Sequence, residues 1–279
     1  FHTDFPRYAE RYLGRAAVGP TRAWLARFHK VARMTQTPSD ATRAELLVMG
    51  IQQATVWGRA VDAIGFHPSR RSDARRAAMG AAGRAVVLHV GRLAVEKDVD
   101  TVAAAMVRAH ERLGDRALFV VAGDGPRGAE VRSALPFARH LGFLGRETLA
   151  DLYADADLFV FPSPTETCGL VALEAMASGL PVIGAEAGGV RENLRHGLTG
   201  FLVAAGDATG FADRITELVE DGEQRRAMSG AARGFAVGSS RSAAMPAIQP
   251  AKGCPGARSW FAATPAIAPV PLPRGESAA

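Results

Sequence analysis

The chain has 279 residues, 48% hydrophobic and 22% charged, a composition that fits a soluble globular protein, and no apolar run reaches the roughly 20 residues of a membrane span. No signal peptide is visible at the charged opening, and Phe1 in place of Met reads as a fragment or a processed chain. The net charge of +5 is uneven, with 13 Lys and Arg against 6 Asp and Glu up to Gly83, so the basic third suits a membrane surface, a nucleic acid, an anionic substrate or merely a solvated Arg-rich face. Cys168 and Cys254 lie far apart and support neither a disulfide framework nor a metal site, which makes a reducing cytoplasm the expected location.

In chain order, "DFPRYAERYLG" and "TRAWLARFHK" read as helices, "VARMTQTPS" as a strand, "DATRAELLVMG" as a helix and "QATVWGRAVD" as a strand. Too few strands stand in residues 1–62 for a complete sheet, so this part is expected to be a partial α/β domain. Residues 63–83 are a polar, Arg/Ala-rich stretch and read as a linker. From Arg84 the text alternates: strands "AVVLHVGRL", "ALFVVAGDGP", "HLGFLG", "DLFVFPS", "PVIGAE" and "TGFLVAAGD" are separated by helical patterns and followed by "ATGFADRITELVEDGEQRRAMSGAAR". Near-continuous apolar strands alternating with helices predict a Rossmann-like, doubly wound parallel sheet over residues 84–236, with ligands beyond the carboxyl ends of the strands. Residues 237–279 are rich in Ala, Pro, Ser and Gly without periodicity and are expected to be disordered.

Chemistry concentrates in "PSPTETCGLVALEAMASGLPVIG". Glu166 follows a strand and therefore sits on a loop at its carboxyl end. Glu174 lies one to two turns into the helix that starts near Cys168 or Gly169. Between them the amides of Thr167, Cys168, Gly169 and Leu170 would form a helix N-terminus, which favours anions such as phosphate. Read structurally, Glu166 would be a cap acid and Glu174 an exposed helix residue. In "VGRLAVEKD", Arg92 and Lys97 follow a strand at the same sheet edge, where two cations can neutralise a diphosphate without a metal. "GDGPRG" matches the Gly123-x-Gly125-x-x-Gly128 dinucleotide fingerprint, yet Pro126 and Arg127 crowd the turn and Glu147 opens a helix instead of ending a strand. The acidic triplet Asp155 to Asp157 precedes a strand, which puts it at the wrong edge for a metal-held substrate, and no Cys/His cluster has ligand spacing. On the first helix Arg7, Arg11 and Arg15 fall at i, i+4 and i+8 beside Phe5, Tyr8 and Tyr12. That pattern is compatible with an interfacial helix at anionic lipid or with an ordinary solvated face.

The pieces "GRL..EKD", "AGDGP", "GFLG", "DLFVFPS..ET.GLVALEAMASG.PVI", "GGVRE" and "TGFLV" occur in the order that resembles retaining glycosyltransferases of family 4, of the two-domain GT-B fold. "FHTDFPRY", "TPSDATRAELL" and "WGRAVD" are similar to the mannosyltransferase and sulfolipid-synthase-like branch, N-terminally truncated. The resemblance implies that Arg92 and Lys97 grip the donor diphosphate, that Glu174 takes the ribose hydroxyls, and that Glu166 and the amides of Thr167, Cys168, Gly169 and Leu170 lie by the sugar and phosphate. Phe143 and Leu144 would flank the base, Gly123, Gly125 and Pro126 would shape the pocket floor, and His2 would approach the reacting carbon. The implied activity is retaining transfer of a hexose, with mannose a candidate, from a UDP- or GDP-linked donor to a lipid or glycan acceptor. No cofactor, metal or nucleic acid is implied, and peripheral contact with the inner face of a membrane is compatible with it. Two alternatives stay open: a nucleotide-sugar-binding module without turnover, and the dehydrogenase suggested by "GDGPRG".

Overall fold

The computed structural model describes residues 1–58 and 60–242. The chain begins with α1 (Phe5–Leu13), whose N-cap Asp4 accepts from the Arg7 amide at 3.1 Å and whose end is set by Gly14 at φ 86°. It continues through α2 (Val18–His29), β1 (Thr35–Thr37), α3 (Asp40–Val48, capped by Ser39) and β2 (Ala54–Val56). Strands β1 and β2 pair in parallel as a two-stranded sheet over a small core of Leu46, Ile51 and Ala54.

Residues 63–83 carry more structure than a linker. A 3-10 turn at Pro68–Arg70 and helix α4 (Asp73–Ala78) are bound to the acidic end of a later helix, α7 below. Arg70 bonds Asp151 at 2.8 Å and Glu147 at 2.7 Å, Arg75 bonds Asp155 at 2.6 Å, and Arg71 and Arg76 both reach Asp157, at 2.8 and 3.0 Å. Asp155 to Asp157, set aside as structural at the sequence level, is therefore an arginine dock.

The larger sheet follows: β3 (Ala85–Val90), α5 (Val99–Leu113), β4 (Ala117–Ala122), α6 (Gly128–Ala134), β5 (Arg139–Gly142), α7 (Arg146–Asp155) and β6 (Leu158–Phe161). Then come α8 (Leu170–Ala177), β7 (Val182–Ala185), α9 (Gly188–Asn193), β8 (Gly200–Val203), α10 (Ala208–Glu220) and α11 (Gly222–Ser242). All strands are parallel in the order β5-β4-β3-β6-β7-β8. Helix α11 passes the boundary expected at 236 and continues to Ser242; the remainder of the expected tail, with Cys254, lies outside the described residues.

The strands read as apolar runs because both faces are covered. Val86, Leu88 and Val90 join Tyr153, Phe159 and Met176 on one side, while Val87, Phe119 and Val160 join Met106, Phe211 and Ile215 on the other. Helix α5 shows the matching 3.6-residue stripe, burying Val99, Val102, Ala105, Met106, Ala109 and Leu113. The strand order reverses between β3 and β6, so the loops that leave these two neighbours open side by side at their carboxyl ends. That reversal is where doubly wound sheets hold ligands.

Candidate functional site

The loop after β3 carries Arg92, Glu96 and Lys97, and the loop after β6 carries Glu166. Across the gap the Lys97 ammonium bonds the Glu166 carboxylate, with both side chains largely buried at 19% and 14% exposure. Ser163 donates to the same carboxylate at 3.5 Å. Arg92 stands more open, 61% exposed, with its guanidinium 3.6 Å from the fully buried carboxylate of Glu96. An exposed arginine beside a half-sheltered lysine can neutralise an anion, and it does so more strongly where water is partly excluded.

Next to Arg92 a cavity of about 400 Å³ opens between the ends of β3 and β4. Gly91, Gly123, Phe143, Leu144 and Leu149 line it with Arg92, so the structure brings Arg92, Gly123, Phe143 and Leu144 together. Phe143 is 85% exposed, whereas Leu144 packs against the core. Gly125 and exposed Pro126 fall outside that lining. The glycines of "GDGPRG" answer to backbone packing instead. A Cβ on Gly123 (φ 127°) would lie 2.0 Å from the Gly91 carbonyl oxygen, and one on Gly125 would lie 2.4 Å from that of Leu93. The pattern lets two loops touch, which removes the motif's support for a dehydrogenase.

Helix α8 starts at Leu170, one or two residues later than expected, because Gly169 before it is left-handed at φ 70°. The approach to it is pinned from α9. The Gly189 amide donates to the Glu166 carbonyl at 2.7 Å, and the Asn193 side chain donates to the carbonyls of Cys168 at 2.7 Å and Gly169 at 3.3 Å. Glu174 sits half-buried in the second turn of α8, and burial pushes its carboxyl up to about 7 against the opposing pull of Arg146. His2 is exposed, yet its carbonyl accepts from the Thr167 hydroxyl at 2.8 Å, so the N-terminal segment does reach the Glu166 loop.

Residues 72–235 match the family model for group 1 glycosyl transferases. The chain belongs to that family. The chain is 35% identical over 244 residues to the sulfoquinovosyl transferase SQD2 of Arabidopsis thaliana, a match spanning 84% of this chain and 47% of that protein. It is 36% identical over 219 residues to a GDP-mannose-dependent alpha-mannosyltransferase of Mycobacterium tuberculosis, spanning 78% and 56%. It thus spans about half the length of the curated relatives it matches. Among solved structures it is similar to Anabaena HepE, crystallised in complex with UDP-glucose, with a TM-score of 0.67, 26% identity, and coverage of 76% of this chain and 63% of that one. The six-stranded parallel sheet is the GT-B-like fold expected from the sequence.

Several residues of the candidate site were not singled out from sequence. Glu96 is fully buried and accepts from the Tyr12 hydroxyl at 2.6 Å. Arg7 donates to the Pro164 carbonyl at 2.7 Å and to Glu45 at 3.1 Å, and Glu192 of α9 takes the amides of Asp40 and Ala41 at the start of α3. On α1, Arg7 is thus engaged with the β6 loop and Tyr12 with the β3 loop, while Arg11 and Arg15 stay exposed. "GGVREN" was the available signal for α9. Adjacent glycines there let the Glu166 loop come close, since a Cβ on Gly188 would lie 2.3 Å from the Glu166 carbonyl oxygen.

Proposed function

We propose that the chain carries the donor side of a family 4 enzyme that moves a hexose, with retention and without a metal, from a nucleotide sugar to a lipid or glycan acceptor. One observation carries this reading: Arg92, on the same β3 loop as the Lys97 that pairs with Glu166 at the β3/β6 reversal, lines a largely apolar cavity of a size to take a nucleobase. In this reading the base lies against Phe143 and Leu144, the ribose hydroxyls meet Glu174, and the diphosphate lies along Arg92, Lys97 and the amides from Thr167 to Leu170. Glu166 then holds the sugar near His2. GDP-mannose is the favoured donor, on the likeness to GDP-mannose-dependent relatives.

Chemically, the bond from the sugar's anomeric carbon to the diphosphate oxygen breaks and its electron pair stays on that oxygen. Arg92 and Lys97 stabilise the growing negative charge, which is where catalysis gains most. The acceptor hydroxyl oxygen bonds the anomeric carbon from the face the diphosphate leaves, and its proton passes to the departing phosphate oxygen. Neither glutamate needs to act as a glycosidase-type acid or base. The exposed, stacked Trp24 and Phe28 on α2, with centroids 5.7 Å apart and Leu13 and Val31 also exposed, support an apolar acceptor or a lipid surface on that side, with the enzyme working in the cytoplasm at the membrane's inner face. A transfer assay with UDP- and GDP-linked hexoses, run beside donor binding on the same sample, tests the proposal. A second reading is a binding module without turnover, and binding without transfer or donor hydrolysis selects it.

A further inference from the structure

Glu96 is the most sheltered acid of the site. Its side chain is fully buried, and a buried carboxylate needs partners. One oxygen, Oε2, receives the Tyr12 hydroxyl at 2.6 Å. The other, Oε1, has no hydrogen bond and faces the Arg92 guanidinium at 3.6 Å, beyond hydrogen-bonding length. Arg92 is therefore tethered by charge alone, with its N–H groups available to another anion. Two further bonds fix this point of the fold: the Thr165 hydroxyl donates to the Glu96 carbonyl at 2.8 Å, and Arg7 of α1 holds the Pro164 carbonyl at 2.7 Å. Tyr8, one turn before Tyr12 and stacked on it at 6.4 Å, sits within the charge field of Lys97, Glu96, Glu166 and Arg92. Helix α1 thus lays two tyrosines along the proposed diphosphate site.

We infer that Glu96 is a positioning residue that aims Arg92 at the donor diphosphate, and that Tyr12 of helix α1 sets how tightly Glu96 holds it. With Tyr12 in place, the carboxylate is satisfied by a neutral hydroxyl and keeps Arg92 at arm's length. Without that hydroxyl, Arg92 is the strongest partner left to Glu96, and the guanidinium is drawn into a direct bond and away from phosphate. Docking of α1 on the β3 loop then raises donor affinity, which links the acceptor-side segment to donor capture. The inference rests on the donor reading above.

The test measures dissociation constants of UDP, GDP, UMP and GMP for the parent chain and for Tyr12→Phe, Arg92→Ala and the double variant. Tyr12→Phe keeps the half-exposed ring and removes only the bond to Glu96, and the melting temperature of each variant, measured beside binding, confirms that it folds. The parent should prefer the diphosphate of its base over the monophosphate, and Tyr12→Phe should cut that preference by about 5-fold, a coupling of ordinary size. In the Arg92→Ala background Tyr12→Phe should change nothing, and likewise in a Glu96→Gln background, where the charge it acts through is gone. An equal loss for diphosphate and monophosphate, or the same loss in every background, overturns the inference and leaves Tyr12 a packing residue. No diphosphate preference in the parent overturns the donor reading itself.

Discussion

Lys97 and Glu166 meet across 69 residues of sequence, joining the loop after β3 to the loop after β6 at the point where the strand order reverses. Each residue was expected in a separate role, the lysine at diphosphate and the glutamate at sugar. Their contact makes one unit of them, and a donor that takes Lys97 must leave Glu166 with another hydrogen-bond donor, such as a sugar hydroxyl.

Removing one partner of that pair leaves the other sheltered and uncompensated. Glu166→Ala is expected to lower stability by about 1–3 kcal/mol, observable as a fall in denaturation midpoint at unchanged slope. Lys97→Met, which keeps the bulk but loses the charge, should also remove sugar transfer. Wild-type turnover in Lys97→Met would separate this lysine from the chemistry.

Glu174 predicts a pH signature. Its folded pKa of about 7 stands above the ordinary 4.5, so the protonated form is the one the fold prefers. The resulting stability contribution is full below pH 4.5 and is lost as the pH rises toward 7. Glu174→Gln should flatten that decline in a melting series from pH 4.5 to 8. Donor affinity should run the opposite way, strengthening as the carboxylate forms to accept ribose hydroxyls, and the Gln variant should bind more weakly with no pH slope. A wild-type and Gln pair with parallel profiles would remove Glu174 from the ribose site.

Gly123→Ala probes the loop contact beneath the cavity. The added Cβ meets the Gly91 carbonyl oxygen at 2.0 Å in a backbone region closed to alanine, and strain of this kind costs about 1–3 kcal/mol. Both stability and nucleotide binding should fall, since the cavity wall moves. NADH should show no saturable binding to the parent chain. Saturable NADH binding would restore the dinucleotide reading.

Much of this site could be read from residues alone because its parts sit at strand ends. Apolar strands buried on both faces announce themselves, and the loop after each is then placed at the carboxyl edge of the sheet, as with those that carry Arg92 and Glu166. What stayed hidden depends on partners distant in sequence. Glu96 looks like any solvated acid until Tyr12, 84 residues away, closes over it. Arg70, Arg71, Arg75 and Arg76 look like linker charge until their acids on and after α7 are folded beneath them. Edge strand β5, half exposed, was legible only as a short apolar fragment beside glycines.

That arginine dock predicts a separation of stability from binding. Asp157 takes both Arg71 and Arg76 and also accepts from the Val86 amide at 2.7 Å, at the amino end of β3 and away from the proposed donor edge. Asp157→Ala should destabilise by about 1–3 kcal/mol, the cost of leaving sheltered hydrogen-bonding groups unpaired, with donor affinity of the remaining folded protein unchanged. Manganese or EDTA should alter neither quantity. A metal-dependent change abolished by Asp157→Ala would make the triplet a substrate-side metal site after all.

The central claim is that the sheet edge between β3 and β6 grips a nucleotide sugar by its diphosphate. Calorimetric titration of UDP- and GDP-linked hexoses into the parent chain, Arg92→Ala and Lys97→Met tests it most directly. Saturable binding of one donor series should appear, and each variant should weaken it by roughly 10- to 100-fold, the worth of a charge-assisted hydrogen bond of about 1.5–3 kcal/mol. Equal affinity across all three proteins, or no donor bound by the folded parent, would contradict it.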